Sequence, residues 1–298
     1  MRPSRPSFAG AYTALVTPFR EGRLDEEALE RLVEDQIQAG IDGLVAVGTT
    51  GESPTLSMEE HIRVIELCVQ FARGRKPVIA GTGANATAEA VHLVKAAEEV
   101  GADAHLQVAP YYNKPSQEGL FRHFLTVAEN ATKPVILYNI PGRCGVDIQP
   151  ETVRRLSEAS DRIVGIKEAG GSADRVNQLR EVLPADFTIL SGDDSLTLPF
   201  MAVGARGVIS VASNVIPGEV ARMVRLFNEG QAGEALALHE RYYPLFKVLF
   251  IETNPAPVKA ALALRGAIRE EVRLPLAPVS DASRQRIREV LVRCGLLD

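Results

Sequence analysis

The sequence of 298 residues has only three cysteines, Cys68, Cys144 and Cys294. An odd number set far apart builds neither a disulfide framework nor a zinc-ligand pattern. Histidines are sparse too: His61, His92, His105, His123 and His239 show no paired spacing, so no metal site is expected. There is no excess of basic charge. With 33 Lys and Arg against 38 Asp and Glu the net charge is −5, which excludes the basic footprint of a nucleic-acid binder. No apolar run approaches the roughly 18 residues of a membrane helix. Near the start, Gly10, Tyr12 and Thr13 interrupt any signal core. A globular chain remains, 46% hydrophobic and 24% charged, and a cytoplasmic location is the plain expectation.

What the sequence does have is an alternation. Short β-rich runs, mostly apolar on both faces, fall at 11–18, 43–48, 77–83, 104–110, 134–141, 163–169, 187–193 and 207–214. Such runs suit strands of a parallel sheet covered on both sides. Helical patterns separate them. Asp25 is placed to cap the first, and Gly40 to end it; Ser57 and Glu60 form a capping box for the second. Others cover 87–100, 116–130, 150–159, 172–183, 195–203 and 217–228. Eight β-then-α units predict a (β/α)8 TIM barrel over residues 1–230, with an open doubly wound sheet as the competing architecture. Residues 231–298 are patterned for helix alone, with starts at Pro255/Pro257 and Ser280-Asp281, and read as a C-terminal helical extension.

In such a barrel, chemistry belongs at the C-terminal ends of the strands. Lys167 stands inside the apolar strand Ile163-Val164-Gly165-Ile166-Lys167, whereas the other lysines read as helix, loop or C-terminal positions. Desolvation lowers a lysine pKa, and a neutral amine can attack a carbonyl to form a Schiff base. The competing reading is a structural lysine paired with Glu168 or Asp193. Tyr138 lies at matching depth one strand earlier, close enough to relay protons, or else is a core tyrosine. Thr49 and Thr50, in a Gly-bounded turn, offer hydroxyls and N–H groups to a carboxylate, or simply make the turn. Arg143 suits a bidentate grip on a carboxylate, or is a solvated surface arginine. The run from Gly81 to Ala86 fits a dinucleotide-binding pattern, but it follows the third strand and lacks a well-placed acidic ribose partner, so no nucleotide cofactor is expected.

Taken together, Gly48-Thr49-Thr50-Gly51-Glu52, Tyr111-Tyr112, Tyr138-Asn139-Ile140-Pro141 and Gly165-Ile166-Lys167-Glu168 resemble the class I pyruvate aldolase/lyase superfamily, and within it the dihydrodipicolinate synthase (4-hydroxy-tetrahydrodipicolinate synthase) family. The resemblance spans essentially the whole chain. It implies a pyruvate Schiff base on Lys167, with no bound cofactor and no metal. It implies a proton relay of Thr49, Tyr138 and Tyr112, the last reaching into the site of a neighbouring subunit of a homotetramer. Thr49 and Thr50 are implied to hold the pyruvate carboxylate and Arg143 the carboxylate of aspartate semialdehyde, while Gly192 and Ile209 line the site with backbone. The reaction implied is a step of lysine and diaminopimelate biosynthesis. Feedback by lysine is implied through Ser53, Pro54, His61, Asn85, Glu89 and Tyr111, although Met58 replaces a ring that sensitive members often carry. Those six residues read equally as a polar oligomer interface. Cys144, adjoining Arg143, is the thiol whose modification is expected to affect activity.

Two rival functions share parts of this pattern. Other pyruvate lyases, such as N-acetylneuraminate lyase or keto-sugar-acid aldolases, keep the lysine and strand tyrosine but generally lack an arginine at the position of Arg143 and the adjacent tyrosines. A catalytically silent, ligand-sensing barrel would have lost the lysine.

Overall fold

The structure, a computed structural model, describes residues 5–298. Eight parallel strands close into a barrel: β1 (Gly10–Ala14), β2 (Gly43–Ala46), β3 (Val78–Gly81), β4 (Ala104–Val108), β5 (Val135–Asn139), β6 (Ile163–Glu168), β7 (Thr188–Ser191) and β8 (Gly207–Ser210). Each strand pairs with its sequence neighbours, and β8 returns to β1. This is the expected TIM barrel, and the closure excludes the open doubly wound sheet. The first run, expected to reach residue 18, leaves strand structure after Ala14. A small antiparallel ribbon, Phe19–Arg20 with Arg23–Leu24, follows it and was not expected.

Among the described residues eleven helices form the outer layer and the extension. They are α1 (Glu26–Gln38), α2 (Met58–Ala72), α3 (Thr87–Glu99), α4 (Gln117–Asn130), α5 (Pro150–Ala159), α6 (Ala173–Val182), α7 (Thr197–Ala202), α8 (Pro217–Asn228), α9 (Ala232–Val248), α10 (Ala256–Leu264) and α11 (Asp281–Arg293). A single helical turn, Pro141–Cys144, follows β5. The anticipated caps are in place. Asp25 accepts from Ala28 N at 3.1 Å, and Ser57 and Glu60 make the reciprocal capping box. Gly40 and Gly101 take positive φ just beyond their helices. The helix expected over 195–203 begins instead as a 3-10 turn, Asp194–Leu196, before α7.

Alternation along the strands divides the apolar residues into two cores. Val45, Ile79, Leu106, Ile136, Tyr138, Val164, Leu190 and Ile209 fill the barrel interior. A larger set, including Val33, Val135 and Ile166, packs strands against helices. One irregularity matters for chemistry. Val135 pairs with Ile163 but Ile136 pairs with Gly165, so β6 carries an extra residue at Val164. Strict alternation from the inward Val164 would turn Lys167 out toward the helices; the bulge instead sets it opposite the inward Tyr138.

Candidate active site

Tyr138 and Lys167 are register partners on β5 and β6, near the C-terminal ends of the strands. The Lys167 Nζ lies 4.2 Å from the centre of the Tyr138 ring. Lys167 is 6% exposed and Tyr138 4%. Burial lowers the Lys167 pKa to about 7; the Asp194 carboxylate partly opposes this and the Arg143 guanidinium reinforces it. Burial pushes the Tyr138 phenol up to about 12, with Thr49 and Arg143 pulling it partway back. The result is a lysine that loses its proton near neutrality beside a phenol that keeps its own.

The structural alternative for Lys167 does not hold. Glu168 is occupied by Asn139 Nδ2 at 3.0 and 3.1 Å, by Gly170 N at 2.6 Å and by Arg175 Nε at 3.4 Å. Asp193 caps the following turn, accepting from Ser195 N at 2.7 Å. The acid whose field reaches Lys167 is Asp194, which sequence reasoning passed over. Fully buried, it accepts from the Ser210 hydroxyl, Val211 N at 3.0 Å and Ala212 N at 2.9 Å, and burial raises its pKa to about 6. The run Ser191-Gly192-Asp193-Asp194 signalled an acid at this strand end, but not which of the two turns inward.

Lys259, taken as an ordinary C-terminal position, is completely buried on α10 and ion-paired with Glu52. Glu52 sits in left-handed conformation (φ 57°) and also accepts from Arg273 N at 3.1 Å. The pair therefore pins the Thr49-Thr50 turn to the extension.

Gly192 lies directly against the Lys167 side chain: a Cβ there would stand 3.1 Å from Lys167 Cε and 2.7 Å from Ala169 Cβ. Ile209 is buried in the barrel interior on β8. Thr50 is buried and accepts from Asn254 Nδ2 at 3.0 Å, while Arg143 is tied to the Asn254 carbonyl at 3.1 Å. Asn254 is a second residue that sequence reasoning missed; only its place before Pro255 marked a turn there. Gly81 and Gly83 have no phosphate-cradling role to explain. A Cβ on Gly81 would meet Val47 O at 2.3 Å, and one on Gly83 would meet Val108 N at 2.4 Å, so close strand packing requires both.

A cleft of about 210 Å³ is lined by Thr49, Ser53, Pro54, Tyr111, Arg143 and Cys144 among others. It joins three expected effector residues to two expected site residues. Asn85 Nδ2 donates to the Tyr111 carbonyl at 3.3 Å, and burial followed by the Glu89 carboxylate raises the Tyr111 phenol. His61 is buried, its Nε2 2.8 Å from Gly81 O. Met58 is exposed on the first turn of α2. Tyr112 stands apart: it is 90% exposed, with φ of 75°, and is not gathered with Lys167 in its own chain. The Cys144 thiol lines this cleft but is itself buried, and burial pushes it up to about 11, which favours its protonated form.

Among the described residues no cluster of three or more His, Cys, Asp or Glu is arranged for a metal ion, and no helix is long and apolar enough to cross a membrane.

Known proteins align with the chain along nearly its whole length. The pattern of the Dihydrodipicolinate synthetase family matches residues 7–293. The 4-hydroxy-tetrahydrodipicolinate synthase of Sulfurihydrogenibium sp. is 54% identical over 97% of this chain and 99% of its own. The solved structure of the enzyme of that name from Methylacidiphilum fumariolicum SolV superposes with a TM-score of 0.96 at 57% identity, covering 97% of this chain and 96% of that one. A chloride-inhibited dihydrodipicolinate synthase from Acinetobacter baumannii, solved in complex with pyruvate, superposes with a TM-score of 0.95 at 44% identity, over 98% of this chain and all of that one. A buried lysine at the mouth of a parallel barrel and this full-length kinship agree: the chain belongs to the dihydrodipicolinate synthetase family, whose members are lyases.

Proposed function

We propose that this chain condenses pyruvate with L-aspartate 4-semialdehyde, as a 4-hydroxy-tetrahydrodipicolinate synthase of lysine and diaminopimelate biosynthesis. The observation that carries the reading is Lys167: buried, poised near neutrality, and 4.2 Å from the ring of its register partner Tyr138.

The neutral Lys167 amine adds to the pyruvate ketone. Loss of water gives an iminium, which acidifies the methyl group; removal of a methyl proton leaves an enamine. That carbon attacks the aldehyde of the second substrate. The substrate's own amine then adds to the iminium carbon, closes a six-membered ring and expels Lys167 as a free amine. The net change is two substrates to one cyclic product and one water. The iminium is the electron sink, so the scheme calls for no bound cofactor or metal. Thr49, Tyr138 and Tyr112 of the partner subunit relay the protons of carbinolamine formation and dehydration. Thr50 holds the pyruvate carboxylate, and Arg143 grips the carboxylate of the semialdehyde. Gly192 leaves room for the lysine, and Ile209 closes the pocket wall.

Arg143 at the cleft, with Tyr111 and Tyr112 in tandem, favours the semialdehyde over a sugar acid. We read the molecule as a cytoplasmic homotetramer, with residues 1–230 forming the catalytic barrel and 231–298 its extension. Lysine is read as an effector in the cleft of Ser53, Pro54 and Tyr111, with His61, Asn85 and Glu89 around it. The decisive experiment is borohydride trapping with pyruvate, then peptide mapping and assay with the semialdehyde. An adduct on the Lys167 peptide and a cyclic product are expected. Cleavage of a sugar acid without that product would reject the assignment, and turnover unchanged in millimolar lysine would remove the effector.

A further inference from the structure

Asn254 belongs to the extension, between α9 and α10, yet it touches two residues of the site. Its Nδ2 donates to Thr50 Oγ1 at 3.0 Å, and its main-chain carbonyl accepts from Arg143 Nη2 at 3.1 Å. It is 4% exposed, and its Oδ1 is buried without a hydrogen-bond partner. Packing does not account for such a residue. An amide with one half unsatisfied is costlier in a core than an aliphatic side chain of similar volume.

The amide does, however, define the state of the Thr50 hydroxyl. A hydroxyl has one proton and two lone pairs. With a lone pair engaged by Asn254, the Thr50 proton is free to be donated elsewhere, and a carboxylate is a strong acceptor for it. The same residue holds Arg143, whose charge also favours carboxylates. Resting on the reading that Thr50 and Arg143 serve the two substrate carboxylates, we infer that Asn254 is a positioning residue: its amide orients Thr50 toward pyruvate, and its carbonyl holds Arg143 for the second substrate. The segment before α10 thus couples the two grips.

Substituting the side chain removes the first link and leaves the backbone carbonyl in place. In N254A the half-saturation for pyruvate, read by borohydride trapping and by steady-state kinetics, is expected to rise about fivefold, the loss of one neutral hydrogen bond, with kcat changed far less. The near-isosteric N254D should raise it further, to about tenfold or more, because a carboxylate would take the Thr50 proton and repel the substrate. In the double variant T50A/N254A the rise should not exceed that of T50A alone. Unchanged pyruvate dependence in both Asn254 variants overturns the inference, and so does strict additivity with T50A. If N254A does not fold, N254D decides alone. Wild-type protein that forms no pyruvate adduct would instead overturn the functional reading beneath.

Discussion

Among the described residues Lys167 and Lys259 are both buried, and only Lys259 has an ion-pair partner. On the proposed reading that difference separates a reactive lysine from a structural one. On the same reading Lys167 attacks as the neutral amine, so trapping with pyruvate should accelerate as pH rises and level off above about 7, where its proton is lost. A midpoint near 10.5, the ordinary lysine value, would contradict the environment described here. The same burial has a stability cost with a defined sign. Between about 7 and 10.5 the unfolded chain binds a proton that the folded chain does not, so stability rises with pH across that window. At neutral pH, Lys167→Met should therefore abolish the adduct yet raise the thermal midpoint by several degrees, as read by calorimetry. Lys167 was legible in the sequence because a charge interrupts an apolar strand. Lys259 was not, since lysine on a helix is ordinary and its partner Glu52 is remote in sequence. Nor could the sequence choose between Asp193 and Asp194; that depends on which one the Asp194–Leu196 turn carries under the N–H groups after β8.

At the scale of elements, the β-then-α rhythm was readable because strands covered on both faces are mostly apolar and some helices begin at side-chain caps, among them Asp25, Ser57, Ser116 and Ser280. The short ribbon at 19–24 escaped notice because two residues per strand carry no periodicity. The bulge at Val164 escaped for a different reason: it is a property of the β5–β6 pairing, and neither strand shows it alone. The turn after β2 shows how the extension supports the site. Glu52 meets Lys259 of α10 in a fully buried pair, and burial outweighs the pairing to hold the Lys259 ammonium down near 8. Removing one member leaves the other charge stranded, at a cost of about 3–5 kcal/mol. Glu52→Gln should thus lower stability by that order in denaturant titration. Adding Lys259→Met to it should recover most of the loss, since two neutral side chains strand nothing. A Glu52→Gln protein of unaltered stability would show that the pair does not anchor the turn.

For the whole molecule the question is whether one chain holds a complete site. Thr49, Tyr138 and Lys167 come together within the chain, but Tyr112 is turned outward, 90% exposed in a positive-φ conformation. A large aromatic left in solvent by a strained backbone is poorly explained by its own chain and well explained by a neighbour. If Tyr112 serves the partner subunit, two inactive variants can repair each other. Lys167→Ala has no nucleophile but a sound Tyr112; Tyr112→Phe has a sound nucleophile but no relay hydroxyl to lend. In a hybrid dimer one site receives Lys167 from the second variant and Tyr112 from the first, and is whole; the other site lacks both. Random re-pairing of equal amounts makes half the dimers hybrid, each with one working site of two, so roughly a quarter of wild-type turnover should return on mixing. If each chain used its own Tyr112, every site in the mixture would still lack one group. Activity would then never exceed the mean of the separate variants, and the exposed tyrosine would need another explanation.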